Sequence, residues 1–547
     1  MSGLMLPEKI QPRSIIVKMF TMLPFSQKKS QSWSTANSEQ SRFPVLLLAK
    51  KLSKVSISTF VIYWMILVLH NAFLGPLSNI PGPRILKFFS RLFVLRREPP
   101  GTNFKKLKEW QNQYGRVVRI GPNTIAISNK HMLQQVLLHD DLPKGPAYRR
   151  IEKLGNTMFF TDDKLLHRKL RRIISPAFST KYIKSLEPYI LSSNKSFLKR
   201  IDNDIKKCKC NVSRNERYGI VDIWKVLNYL MLDIIGETAF GQSFGLLENN
   251  DHVVPRTIAQ TLETISYISA SPIFGLIKAA ISFSDVRTAN NKMQEFMKSI
   301  IMERLHGGDE VHRNDILQIL IDSQKAHNIQ DKLTADAIAQ ETIVFLIAGS
   351  ETTSGTIGFA LIELLKNPQK LNLLRDEIDQ IKLEQEQALL CHHQLKNLPY
   401  LNGVINETMR LNFIAPGGIE RKVDTDMVLG GHLFVPEGTI VQCNIHAVQR
   451  DPDYWPKPNE FIPERWLAGS DIPADHEAFF PFSAGSRICI GNAFALHEMR
   501  VTLANLIKSY DIVAIPEELQ ASDERRAFVT MSLKYKRFMV QMKRREQ

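Results

Sequence analysis

The residues best arranged for chemistry lie near the C-terminus, in Phe482–Gly491, which reads FSAGSRICIG and runs directly into a helix-like stretch from Asn492 to Tyr510. A single cysteine is most often a small buried hydrophobe. Cys489 has different neighbours. Gly485 and Gly491 permit backbone conformations closed to other residues and let the chain approach a flat ligand closely. Arg487 offers a forked cation to a carboxylate. The N-terminus of the following helix, with free N–H groups and a positive dipole end, would stabilise a thiolate. Phe482 would shield the sulfur from water. This set could ligate a metal through an anionic sulfur.

Three further groups stand out. Ala348-Gly349-Ser350-Glu351-Thr352-Thr353 places a small-residue gap, an acid and a hydroxyl inside an apolar run that begins at Ile343. An ordinary kinked core helix is the bland alternative, and it leaves a charged Glu351 on the buried side without a reason. Glu407 and Arg410, three apart in ETMR, are neighbours on one helix face and able to pair, and Pro463-Glu464-Arg465-Trp466 follows. In the basic run His167–Arg172, residues 167 and 171 lie one turn apart, which also suits a solvated face.

Phe-x-x-Gly-x-Arg-x-Cys-x-Gly resembles the haem-binding loop of the cytochrome P450 family, and the other groups follow in that family's order from about Pro81 to Ile515. The resemblance implies one mainly α-helical domain with small β-sheets. Haem b is buried in it between an oxygen-activating helix and the cysteine loop, with Cys489 as axial ligand. Thiolate ligation pushes electron density onto iron and favours O–O cleavage. Thr352 would organise the hydrogen bond to dioxygen and Glu351 would assist proton delivery. Arg487, His167, Arg171 and Arg421 would hold the propionates; His167 is a departure, because the family often has tryptophan there. Glu407, Arg410 and Arg465 would form a buried structural network. A further departure is Gln449, where histidine is common before Arg-Asp-Pro.

The implied reaction inserts one oxygen atom from O2 into an apolar small molecule, with electrons from NADPH through a flavoprotein reductase. The pocket would draw on parts of residues 147–162, Val344, Ile347, Ala348, Phe413–Gly418 and Val529–Met531. A wall of apolar side chains suits a terpenoid, steroid, fatty-acyl or polyketide-like substrate. The hinge and tail look similar to filamentous-fungal members, many of which serve secondary metabolism. Two rivals stay open: a haem-thiolate isomerase or dehydratase that does not use O2, and a non-catalytic haem-binding protein.

Positioning these groups takes a large, mostly helical body. Apolar spacing of the helical type marks residues 104–114, 128–138, 165–173, 183–201, 221–240, 286–305, 334–366 and 368–381. Strand patterns are few: Arg116–Ile120, Thr124–Ile127, Met427–Val435 and Ile440–Asn444. Lys206–Arg217 reads as a loop. The length prior suggests several domains, and the order of the motifs replaces them with one catalytic domain over 85–547.

Ahead of it lie a basic extension at 1–54, an apolar stretch at 55–75 that suits a transmembrane anchor, and a proline-rich hinge at 76–84. The extension also suits an organelle-targeting segment. The five cysteines make no disulfide framework, so a reduced, cytosol-facing protein fits. Of the net charge of +16, residues 1–54 hold +7, from nine Lys/Arg against two Asp/Glu. No basic helix with interleaved aromatics stands out, so nucleic acid is not a partner. The resemblance adds the endoplasmic reticulum membrane as location, single-pass.

Overall fold

The computed structural model describes residues 58–546, apart from 60, 90–97, 152–155, 208, 214–215, 250–252, 271–294, 296, 305–314, 326–331 and 384–388. Contacts divide the chain between Ile66 and Leu67, and Leu67–Gln547 forms one compact unit. The extension 1–54 lies outside the described residues. Within the apolar stretch, Val61–Phe73 is a helix, shorter than the roughly 20 residues a full span takes. Its Ile62, Tyr63, Trp64 and Ile66 are exposed. After it, the Pro81-Gly82 pair docks on a strand: the Arg119 amide donates to the Pro81 carbonyl at 2.8 Å, and a Cβ on Gly82 would lie 2.3 Å from the Arg119 oxygen.

The centre of the body is the helix Ala335–Lys366, packed along Ile223–Ala239. Small residues allow the close approach. A Cβ on Gly349 would reach to 2.5 Å of Ile235 Cδ1, and one on Gly358 to 2.7 Å of the Trp224 ring. The long helix is largely buried and mostly apolar, as a helix enclosed by others must be. Thr334 caps its N-terminus by accepting from the Ala337 amide. Around this pair lie Thr180–Lys207, Pro399–Leu411 and Asn492–Ser509, which share one hydrophobic core.

Two four-stranded sheets flank the helices. One takes Val117–Gly121, Thr124–Ile127, Ile440–Cys443 and Ile419–Lys422 in that order. The other joins Lys209–Ser213, Glu216–Asp222, Met539–Arg544 and Tyr510–Ala514. This corrects the loop expected over Lys206–Arg217. Lys209–Ser213 pairs with Glu216–Asp222 as a local hairpin, and Glu216–Asp222 pairs in turn with Met539–Arg544, a partner at the far end of the chain that local pattern cannot see. The strand expected over Met427–Val435 is a hairpin, because Gly430 and Gly431 both take positive φ, 60° and 77°, and turn the chain between Leu429 and Leu433.

Candidate active site

The cysteine loop is a compact turn on the end of Asn492–Ser509. The Cys489 amide donates to the Phe482 carbonyl at 2.9 Å, and that of Ile488 to Gly485 at 3.1 Å. Gly485 has φ +74°, and a Cβ there would collide with the Leu137 carbonyl, so only glycine fits. Gly491 differs: its φ is −86° and a Cβ would meet only Phe178 at an ordinary 3.7 Å. The expectation that Gly491 needs a conformation closed to other residues is corrected. Phe482 is half-buried against the main core.

Cys489 is exposed in surface area, yet burial pushes its thiol pKa up, opposed by the Gly491 amide and Arg171. Both hold together for a side chain on the wall of an enclosed space. The long helix offers a matching wall. Most of it is buried, but Ile343, Val344, Ile347, Glu351 and Thr352 are half-buried and Ala348 is exposed, a stripe at helical spacing in the middle of the body. Phe178 links the two walls, its ring 5.9 Å from that of Phe345 and next to Gly491.

On the helix, the Thr352 hydroxyl donates to the Ala348 carbonyl at 2.6 Å. Glu351 accepts from Asn228 Nδ2 at 3.1 Å across the helix pair, and burial raises its carboxyl pKa. Asn228 was not legible in the sequence as a site residue, because an asparagine in an apolar helix carries no spacing signal.

Cations gather around the same space. His167 is buried, its pKa pushed down to about 3 by burial and by Arg487, Lys144 and Arg171. Arg171 donates to the Ile488 carbonyl of the cysteine loop at 2.7 Å. Arg487 donates to the Thr161 carbonyl at 2.9 Å, while its Nη2 is buried without a hydrogen-bond partner. Burial and then Arg421 bring the Arg487 pKa down to about 10. Arg421 is buried and bridges backbone to backbone with Lys144.

Lys144 is the member that sequence reasoning missed. Its ammonium is held by the Phe159 carbonyl and lies over the Tyr148 and Phe159 rings. Its pKa is driven well down by burial, then by Arg421 and Arg487. A lone lysine in the turn Pro143–Pro146 has no periodicity to betray it. Cations that depress one another's pKa in a buried place fit a ligand carrying several carboxylates.

Behind the loop, Arg410 is bidentate on Glu407, at 2.8 Å from each oxygen, and Arg465 Nε donates to the same carboxylate at 3.2 Å. Trp466 and the Ile462 amide add two more donors. Gln449, the departure noted above, donates to the Met409 and Arg410 carbonyls and accepts from the Phe480 amide.

The pocket segments also meet. Phe160 and Ile265 form a small apolar cluster, with Tyr148, Val344 and Val529 packed on it. The Met531 amide donates to the Ile414 carbonyl at 2.7 Å. A separate open groove of about 1080 Å³, with Lys108, His446 and Arg450 on its walls, includes no residue of the cysteine loop.

The sequence profile of the cytochrome P450 family matches residues 80–539. Cytochrome P450 monooxygenase LUC2 of a Fusarium species is 30% identical over 87% of this chain and 91% of its own. Cytochrome P450 monooxygenase acrD of Aspergillus aculeatus is 30% identical over 86% and 92%. Benzoate 4-monooxygenase bphA of Aspergillus niger is 27% identical over 85% and 93%.

Proposed function

Since the chain belongs to the cytochrome P450 family, haem monooxygenases fed with electrons from NADPH by a reductase, we propose that Cys489 would ligate the haem iron. Its substrate would be an apolar small molecule of secondary metabolism, oxidised in the space between Cys489 and the Ala348–Thr352 stretch. The observation that carries this reading is geometric: buried Lys144 and Arg421 beside Arg487, whose buried Nη2 has no hydrogen-bond partner, with Arg171 bonded to the loop that holds Cys489. The chemistry that haem would supply there is activation of dioxygen at a thiolate-ligated iron.

The chain's own residues have distinct tasks. The Gly491 amide, Arg171 and the N-terminus of Asn492–Ser509 favour the thiolate. Arg487, Arg421, His167 and Lys144 receive the two propionates, and Arg171 steadies the loop through Ile488. Thr352 can turn its Oγ1 from the Ala348 carbonyl toward the reacting oxygen. Glu351, kept ready by Asn228, relays protons to it. Phe160, Val344, Ile265 and Val529 exclude water and grip apolar surface.

Product formed by microsomes containing this chain and a reductase should require both NADPH and O2. Cys489→Ala should abolish the thiolate-type carbon monoxide spectrum; survival of that spectrum would overturn the ligand assignment. Thr352→Ala should cut product per NADPH by about 100-fold or more, and unchanged coupling would remove Thr352 from its role.

The location we propose is the endoplasmic reticulum membrane, anchored by 55–75 with the catalytic domain in the cytosol. Support comes from the exposed apolar side chains of Val61–Phe73. Resistance to carbonate extraction that is lost on deleting residues 1–75 checks the anchor. Glycosylation at Asn194, Asn211 or Asn406 would reverse the topology.

A further inference from the structure

Glu341 is a second buried acid on the long helix, and nothing in the chemistry above uses it. Its position is seven residues before Ala348 and eleven before Thr352, so it shares their helix face. Oε1 accepts from the Met158 amide at 2.6 Å, and Oε2 is buried with no hydrogen-bond partner. The side chain is only 2% exposed. An ionisable oxygen left unpaired in such a place is costly, and native structures retain few of them without a reason.

Its neighbours supply the reason. Val344, one turn along the helix, and Phe160, two residues beyond Met158, both belong to the apolar cluster completed by Ile265, Tyr148 and Val529. On the reading proposed above, this puts the free oxygen beside one end of the substrate pocket, the end away from Thr352. Among the described residues, the charged group facing it is Lys144, itself engaged by the Phe159 carbonyl and flanked by Arg421 and Arg487.

We propose that Glu341 is a specificity-determining residue, whose free carboxylate oxygen receives a hydrogen-bond-donating head, an ammonium or hydroxyl, on an otherwise apolar substrate. This rests on the haem-monooxygenase reading. With a rise of 1.5 Å per residue, the anchor lies about 10–16 Å along the helix from the Ala348–Thr352 stretch, so the substrate is elongated and oxidised far from its polar end. Burial pushes the carboxyl up to about 7. Its grip on an ammonium should accordingly strengthen as pH rises from about 6 to 8 and the group ionises.

Imidazoles carrying an alkyl tether of about ten carbons span this distance, and can report binding through the Soret shift of the full-length haem protein. Tethers ending in methyl, hydroxyl, ammonium and carboxylate would be titrated against wild type, Glu341→Gln and Glu341→Asp. In wild type the ammonium and hydroxyl tethers should bind about 10-fold or more tighter than the methyl tether, and the carboxylate tether should bind more weakly. Glu341→Gln keeps an acceptor for Met158 and should remove the ammonium advantage and its pH dependence. Glu341→Asp should retain part of both. Equal binding of all four heads by wild type would overturn the proposal. Preference for the carboxylate would also overturn it and give the anchoring role to Lys144. No Soret shift with imidazole itself would strike the haem reading underneath, an outcome distinct from a shift without head-group preference.

Discussion

Glu407, Arg410 and Arg465 form a buried cluster in which two cations share one carboxylate; Lys144, Arg421 and Arg487, beside a neutral His167, form one in which, among the described residues, no carboxylate is hydrogen-bonded to the cations. In the first, one carboxylate takes donors from two arginines, an indole and a backbone amide. Arg410 spends its other N–H groups on the carbonyls of Gln449, Pro458 and Glu460, and its guanidinium lies 5.0 Å from the centre of the Trp455 ring. In the second, burial first and then neighbouring cations push the pKa values of Lys144, His167 and Arg487 down, against the weaker pull of Glu341, Asp141, Asp162 and Asp163. A carboxylate shared between buried cations holds a fold together. Buried cations without one are what a binding site for an anion needs, the role proposed for them above.

That contrast breaks most visibly if the first cluster is opened. Arg410→Leu removes the bidentate partner of the Glu407 carboxylate at zero exposure, leaving it Arg465, Trp466 and the Ile462 amide, and should cost about 3–5 kcal/mol. The expected result is loss of soluble, folded protein before haem is added, read as far-ultraviolet dichroism and yield. If the variant folded like wild type and failed only to retain haem, the two clusters would not differ in kind.

Arg487→Leu should behave in the opposite way. Removing one cation from a set that repels itself relieves the apoprotein, so the denaturation midpoint of the haem-free chain should hold or rise. Haem affinity should drop by about 10–100-fold, the scale on which supporting contacts around a metal centre act. Transfer of haem to apomyoglobin measures it. Lys144→Met keeps most of the stem's packing and removes the charge. It should speed haem loss by about 10-fold while leaving the apoprotein within about 1 kcal/mol of wild type. Equal haem release from Lys144→Met and wild type would remove Lys144 from the site.

The sequence exposes some of this and hides the rest for physical reasons. Loops such as Phe482–Gly491 are legible because several side chains must act on one object at fixed distances along the chain, which freezes their spacing. The long helices are legible because burial on several sides leaves an apolar period. Lys144 and Asn228 are invisible because each is brought in from a separate segment and needs no particular sequence neighbour. The strand Glu216–Asp222 is hidden because its partner Met539–Arg544 lies at the far end of the chain, and Lys209–Ser213 is an edge strand that, among the described residues, pairs only with Glu216–Asp222. Gly491 misleads for a different reason: a glycine can serve by leaving space rather than by adopting an unusual φ.

The smallest expected effect sharpens the comparison from within the first cluster. Gln449 occupies the place where histidine is common, and its amide makes three bonds: two from Nε2 to the Met409 and Arg410 carbonyls and one accepted by Oε1 from the Phe480 amide. A neutral imidazole has one donor and one acceptor, so Gln449→His can replace the Phe480 contact and only one carbonyl contact. The loss should be about 1 kcal/mol, seen as a modest fall in denaturation midpoint with unchanged haem content. Gln449→Leu should cost more, because the Phe480 amide and both carbonyls then lose their partner in a place without water. If both variants released haem without losing stability, the Gln449 contacts would serve the haem-binding cluster rather than the one that holds the fold.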